Sequence, residues 1–178
     1  MSKTLRRAPL IAGLASLLLA MPLFAQETGE TAETADASSA EATVRVLYDI
    51  ISSEAGRVPD WEPVRALFLP EALIILRSSR EAMSVLTLDG FIQDFDEFYQ
   101  VPQVQEKGFK ETILELKATE FGDMAQVWVL YEAKVPDGGG NRGVDNFSLI
   151  RRDGAWRVAA ITNEVPFPGR PVPDGLFD

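Results

Sequence analysis

The 178-residue chain contains no histidine and no cysteine. Histidine is the one side chain that titrates near neutrality unperturbed, and it is the commonest metal ligand. Without it, and without a thiol, Ser-His and Cys-His nucleophilic pairs are excluded. So are imidazole or thiolate zinc sites and haem held by either group. No disulfide can form, so stability must come from a packed core. Any chemistry falls to carboxylates, tyrosine, lysine or arginine. Basic residues are also outnumbered, 17 Lys and Arg against 27 Asp and Glu, for a net charge of −10. A surface this acidic repels phosphate backbones and anionic headgroups, so nucleic acid is not expected as a partner.

Residues 1–25 have the three parts of a secretory signal. Lys3, Arg6 and Arg7 form its positive end, residues 8–24 are uncharged and mostly apolar, and Ala25 suits the −1 side of a cleavage site. Seventeen residues barely reach spanning length, and Pro22 would interrupt a membrane helix. The expected outcome is cleavage after Ala25 and Sec-type export to the periplasm or the medium, with no membrane attachment afterwards. Pro9 stands where a twin-arginine signal wants a bulky apolar residue. Cleavage removes three basic residues and no acid, leaving 14 against 27 and a net charge of −13. Residues 26–40 are Glu, Thr, Ala, Ser, Gly, Asp and Gln without an aromatic or large aliphatic residue, which predicts a disordered acidic linker.

From residue 41 the pattern becomes helical: Val44, Leu47, Tyr48 and Ile51 share one face, and Ser38 or Ser39 is placed to cap it. Asp60 opens a second helix with Trp61, Val64, Leu67 and Phe68 as its apolar residues, and Pro70 stops it. Short strands are expected over 72–76 and 83–88, then a third helix with Phe91, Phe95 and Phe98 in a stripe, ended by Pro102. The remainder reads as an antiparallel sheet with strands at 109–118, 124–135, 146–151 and 156–165. In the first of these, Lys110, Thr112, Leu114, Leu116 and Ala118 form the mainly apolar face and Phe109, Glu111, Ile113, Glu115 and Lys117 the polar one. Asp153-Gly154 is a two-residue hairpin signal. The glycine-rich stretch 136–143 reads as a loop, and 166–178, rich in proline, as an irregular tail.

Several motifs in this order resemble one family. They are Asp60-Trp61 at a helix start, Phe68-Leu69-Pro70-Glu71-Ala72 passing from helix to strand, Gly122-Asp123-Met124-Ala125-Gln126-Val127, and Arg151-Arg152-Asp153-Gly154-Ala155-Trp156-Arg157-Val158. Residues 41–165 resemble the nuclear transport factor 2-like superfamily, which includes SnoaL-like polyketide cyclases, ketosteroid isomerases and many exported proteins. The resemblance implies an α+β cone: three N-terminal helices packed on a strongly curved, mainly antiparallel mixed sheet, enclosing a pocket. It also implies a homodimer through the outer face of the sheet. Strands 124–133 and 156–165 are apolar on both faces, so both faces need cover.

Fold does not give activity. Ketosteroid isomerases combine a first-helix tyrosine, a general-base aspartate ending the first strand and a protonated aspartate in the sheet. Tyr48 matches the first position. The first strand here ends in Leu76-Arg77, and the sheet position falls near Phe147-Ser148, so two of the three groups are missing. The cyclases and scytalone dehydratases rely on histidine–carboxylate pairs, which this chain cannot form.

Four residues are the candidate ligand-binding set: Tyr48, Trp61, Tyr131 and Asp145. Tyr48 either donates to a pocket ligand or is a core tyrosine bonded to backbone. Tyr131 lies on the face of Val127 and Val129, lining the cone or covering a dimer surface. Asp145 faces inward if Phe147 and Leu149 do, and an apolar setting would raise its pKa; otherwise it is a solvated loop end. The tryptophans line a cavity or fill the core. Asp94, Asp96 and Glu97 are the wet face of a helix rather than a metal cluster, and Asp137, Asn141 and Asp145 lack the pattern of a calcium loop. No cofactor, metal or catalytic group is assigned. The leading expectation is a non-catalytic domain binding a small apolar molecule or a partner protein. The competing one is a small isomerase, cyclase or dehydratase using Tyr48 and Asp145, and the third is an assembly module.

Overall fold

The computed structural model describes residues 38–77 and 79–178. The expected signal and most of the expected linker lie outside the described residues; Ala40, the linker's last residue, already belongs to a helix. The order of elements is α1 (Ala40–Ile50), α2 (Trp61–Leu67), β1 (Phe68–Arg77), β2 (Met83–Leu86), α3 (Leu88–Tyr99), α4 (Pro102–Lys107), β3 (Lys110–Phe121), β4 (Met124–Lys134), β5 (Gly140–Arg152) and β6 (Ala155–Glu164). The strands form one curved sheet in the order β2-β1-β6-β5-β4-β3. β1 runs parallel to β6 and every other pair is antiparallel. This is the expected α+β architecture with a fourth helix. Pro102 does not end the helical region; it starts α4, because a proline at the first helical position gives up an N–H that would have no partner anyway.

Local chemistry sets most boundaries. The Ser39 and Asp60 side chains accept from Ala42 N and Glu62 N, capping α1 and α2. Asp153 and Gly154, both with positive φ, close the β5–β6 hairpin. Pro70 lies inside β1, where the register against β6 jumps between Phe68 and Leu73. That irregularity accommodates a residue with no N–H for the ladder.

The core lies between the helices and one face of the sheet. Val44, Leu47 and Tyr48 of α1 are buried among Val127 and Val129 of β4, Phe147 and Leu149 of β5, and Val158 and Ile161 of β6. Burying each such aliphatic side chain contributes roughly 1.5–3 kcal/mol. The expected faces of β3 are corrected here. Ile113 pairs with Tyr131 and Glu115 with Leu130, so Leu114 is a bulged extra residue and is exposed. The bulge reverses the alternation, turning Glu111 and Ile113 toward the interior before it and Leu116 after it.

The outer face is covered in part by the chain itself. After β6 the tail makes turns that bring Pro166, Pro171, Val172, Pro173 and Leu176 around a hollow they share with Trp128 and Val144. Lys117 Nζ donates to the carbonyl of Asp178. Thus the tail supplies cover that apolar Trp128 and Val144 require. Among the described residues, no helix is long and apolar enough to cross a membrane.

Candidate functional site

The cone holds a cavity of about 190 Å³ between α1, α3 and the inner face of β3–β6. Much of its polar lining comes from five elements. Tyr48 projects from the last turn of α1, Glu111 from β3, Tyr131 from β4 and Asp145 from β5, with Asn163 beside it on β6. Asp145 and Asn163 are paired across the β5–β6 ladder, so their side chains share a face. Leu47, Ile51, Phe91, Phe95, Phe147 and Ile161 supply the apolar wall.

These groups form a connected network. Tyr48 Oη donates to Asp145 Oδ2 at 2.6 Å, and Asn163 Nδ2 donates to Asp145 Oδ1 at 2.7 Å and to Tyr131 Oη at 3.0 Å. The backbone N–H of Arg77 donates to Asn163 Oδ1 at 3.3 Å, which fixes the orientation of the amide. Tyr131 accepts within the network, and its own proton has no acceptor among the described residues. Gly143 faces Tyr131 across the β4–β5 ladder, and a Cβ built there would stand 2.2 Å from the phenol oxygen. Only glycine admits the ring at that position. Ser52 ties α1 to β3, accepting from Glu111 N at 3.0 Å while its hydroxyl donates to the Tyr48 carbonyl at 2.9 Å.

The two carboxyl groups have no cation paired with them; Asp145 is buried and Glu111 half-buried in the cavity wall. Burial pushes Asp145 up to about 6, against the opposing hydrogen bonds from Tyr48 and Asn163. Burial, followed by the charge of Asp145, pushes Glu111 up to about 8. The Glu111 side chain makes no hydrogen bond or ion pair among the described residues. At neutral pH the pair therefore favours an ionised Asp145 beside a protonated Glu111. The phenols of Tyr48 and Tyr131 are raised, first by desolvation and then by the charge of Asp145, and stay protonated. Such a site offers a hydrogen-bonded carboxylate as proton acceptor, with the Glu111 and Tyr131 hydroxyls as donors.

The cavity continues outward. A hollow of about 270 Å³ shares Leu76, Phe95, Glu111, Tyr131 and Asn141 with it, and another of about 260 Å³ shares Arg77, Asn141 and Val165. Together they leave room for a molecule larger than the inner chamber.

No known family profile matches the chain, and neither does any curated protein. Solved structures do. An NTF-2 like protein of unknown function from Silicibacter pomeroyi superposes with a TM-score of 0.51 at 17% identity, covering 70% of this chain and 91% of that one. An uncharacterized protein with a cystatin-like fold from Caulobacter vibrioides gives 0.54 at 15% identity, over 72% and 88%. An NTF2-like protein from Cytophaga hutchinsonii gives 0.52 at 16%, over 69% and 92%. The fold is NTF2-like.

Of the four candidate residues, the NTF2-like cone brings three together: Tyr48, Tyr131 and Asp145. Trp61 is placed elsewhere, packed on Phe95 and Tyr99 with its indole N–H donating to Asp96 at 2.5 Å. Asp96 is thus a partner of Trp61 rather than only a wet residue. Asp145 reaches the interior two residues before Phe147, because alternate strand residues share a face. Glu111 and Asn163 were not among the sequence candidates. Asn163 carried a signal, since it shares a strand face with buried Ile161. Among the described residues, no group of three or more acidic side chains is arranged to hold a metal.

Proposed function

We propose that this NTF2-like domain binds a small, mainly apolar molecule with one carbonyl or hydroxyl oxygen and moves a proton on it. In this reading Asp145 accepts the proton, while Glu111 and Tyr131 donate hydrogen bonds to the oxygen where charge develops. Tyr48 and Asn163 hold Asp145 in place and keep it ionised. The reaction class is isomerisation or a related enolisation, which needs neither imidazole nor metal. The observation that carries it is the 2.6 Å Tyr48–Asp145 hydrogen bond inside a cavity that also holds an unpaired Glu111. Exchange of α-protons for solvent deuterium in small cyclic ketones, followed by NMR, tests it. Asp145→Asn is expected to lower the exchange rate by about 10²-fold or more. No exchange above that of the variant with any ketone leaves binding without turnover.

That second reading has an observation of its own. Both Asp145 oxygens already accept hydrogen bonds, as in a carboxylate that shapes a pocket rather than reacts. Two further expectations stand as proposals. Export after cleavage at Ala25 would make the periplasm or medium the place of action. A homodimer through the outer sheet face would use the end left open by the tail, where Phe121, Met124 and Ile150 lie side by side and exposed. Sedimentation of the wild type and of Phe121→Asp checks the dimer.

A further inference from the structure

The mouth of the cavity has a charge opposite to that of the chain. The hollow of about 260 Å³ at the rim is lined by Arg77, Arg80, Glu164 and Phe167, among others, and it joins the inner cavity through Arg77, Asn141 and Val165. Arg77 is held by Glu164 through two hydrogen bonds of 2.9 and 2.6 Å, and Arg170 Nη1 reaches the same carboxylate at 2.9 Å. Arg80 has no carboxylate partner among the described residues; its guanidinium lies 5.2 Å from the centre of the Phe167 ring, and that of Arg170 lies 4.8 Å from it. Three guanidiniums therefore converge around one carboxylate and one aromatic ring. This surplus of positive charge sits in a chain whose net charge is −10.

The interior has the reverse polarity. It is apolar with two carboxyl groups and no paired cation, so an anionic end could not enter without burying like charges together. At the rim the same end would meet half-exposed guanidiniums with hydrogen-bond donors to spare. We propose that the molecule taken by the cone is an amphiphilic anion. Its apolar body fills the cavity, and a carboxylate or similar oxyanion is held at the mouth by Arg80, with Arg170, which lines the outer-face hollow and also lies over the Phe167 ring, adding positive charge nearby. The inference rests on the cavity being the binding site, and it adds the substrate class and orientation. The rim anchor also fixes which end of the molecule reaches Asp145.

The test uses two dyes with one ring system, the neutral N-phenyl-1-naphthylamine and its sulfonate, 8-anilinonaphthalene-1-sulfonate, titrated by fluorescence into the full chain. Raising NaCl from a few millimolar to about 0.5 M is expected to weaken the sulfonate about tenfold and the neutral dye less than about twofold. The double variant Arg80→Gln with Arg170→Gln is expected to do the same at low salt. The salt series on the unaltered protein keeps the result readable if that variant does not fold. Equal effects on both dyes, or none on either, would mean that the arginines only clamp the tail, and the inference falls while the cavity reading survives. A separate variant, Leu47→Phe, narrows the inner chamber and is expected to weaken both dyes. If it changes neither, the dyes bind outside the cone, and the cavity reading fails along with the anion inference.

Discussion

Asp145 and Glu164 occupy neighbouring ladder positions on β5 and β6, one step apart, yet their environments drive them in opposite directions. Asp145 points into the cone, where neutral donors are its only partners, and burial raises it to about 6. Glu164 meets the rim, where the hydrogen bonds from Arg77 are the main cause that lowers it to about 2. Adjacent strand residues face opposite sides of a sheet, so a single step along the chain exchanges a dry carboxyl for an ion-paired one. Interior and rim thus differ in the cations they contain more than in the acids. An uncompensated carboxyl is kept in a core only at a cost, and sites of proton transfer are where that cost is commonly met.

The largest expected effect is the pH dependence of stability, and Glu111 dominates it. Its folded pKa of about 8 lies above the ordinary carboxylate value, so the native state holds a proton that the unfolded chain has released. The stabilisation is complete below about pH 4.5 and is lost as pH rises toward 8, at a limit of about 1.4 kcal/mol per pH unit. Asp145 adds the same sign between about 4 and 6. Urea unfolding from pH 4.5 to 9 is expected to show a falling stability above pH 6 that Glu111→Gln flattens. A slope unchanged in Glu111→Gln would mean that Glu111 is solvated.

Next in size is Asn163→Leu, which keeps the volume and removes the amide that donates to Asp145 and Tyr131. The loss of a buried charge-assisted bond is expected to cost about 2–3 kcal/mol at pH 8. The cost is smaller at pH 5, where a protonated Asp145 no longer needs the donor. Equal losses at both pH values would separate Asn163 from the carboxylate. Gly143→Ala follows, at about 1–3 kcal/mol, because its methyl would overlap the Tyr131 ring. Tyr131→Phe does not relieve it, since ring carbons also lie 2.3 and 2.5 Å from that Cβ, whereas Tyr131→Leu is expected to. Chemical denaturation of the single and double variants checks this.

Much of the cone was legible from residue patterns, while Glu111 and Asn163 of its polar lining were not. The face of α1 read correctly because Val44, Leu47, Tyr48 and Ile51 follow helical spacing and nothing interrupts them. Tyr131 and Asp145 were reached through strand alternation counted from Val129 and Phe147. Glu111 was hidden because alternation along β3 breaks at Leu114, and a bulge leaves no mark when the residue is an ordinary leucine. The first half of β5 was hidden for a related reason. Its glycines read as a loop, yet Gly143 serves the packing of Tyr131. That no cation pairs with Asp145 or Glu111 follows from tertiary placement of Arg77, which lines the cavity but whose guanidinium is taken by Glu164 from a strand 87 residues away.

The smallest effect should come from the rim. Glu164 is partly solvent-exposed, so its ion pairs are screened and Glu164→Gln is expected to cost less than about 1 kcal/mol. The sign of its pH dependence opposes that of the interior. Its folded pKa is depressed, so its contribution is present above the unfolded value of about 4.5 and is lost as pH falls toward 2. Thermal melts of the wild type and Glu164→Gln at pH 7 and pH 3 should therefore draw closer in acid, where those of Glu111→Gln and the wild type converge, and separate at neutral pH in opposite directions. If Glu164→Gln matched Glu111→Gln in sign, the rim would behave as a second interior, and the contrast between the two carboxylates would reduce to depth alone.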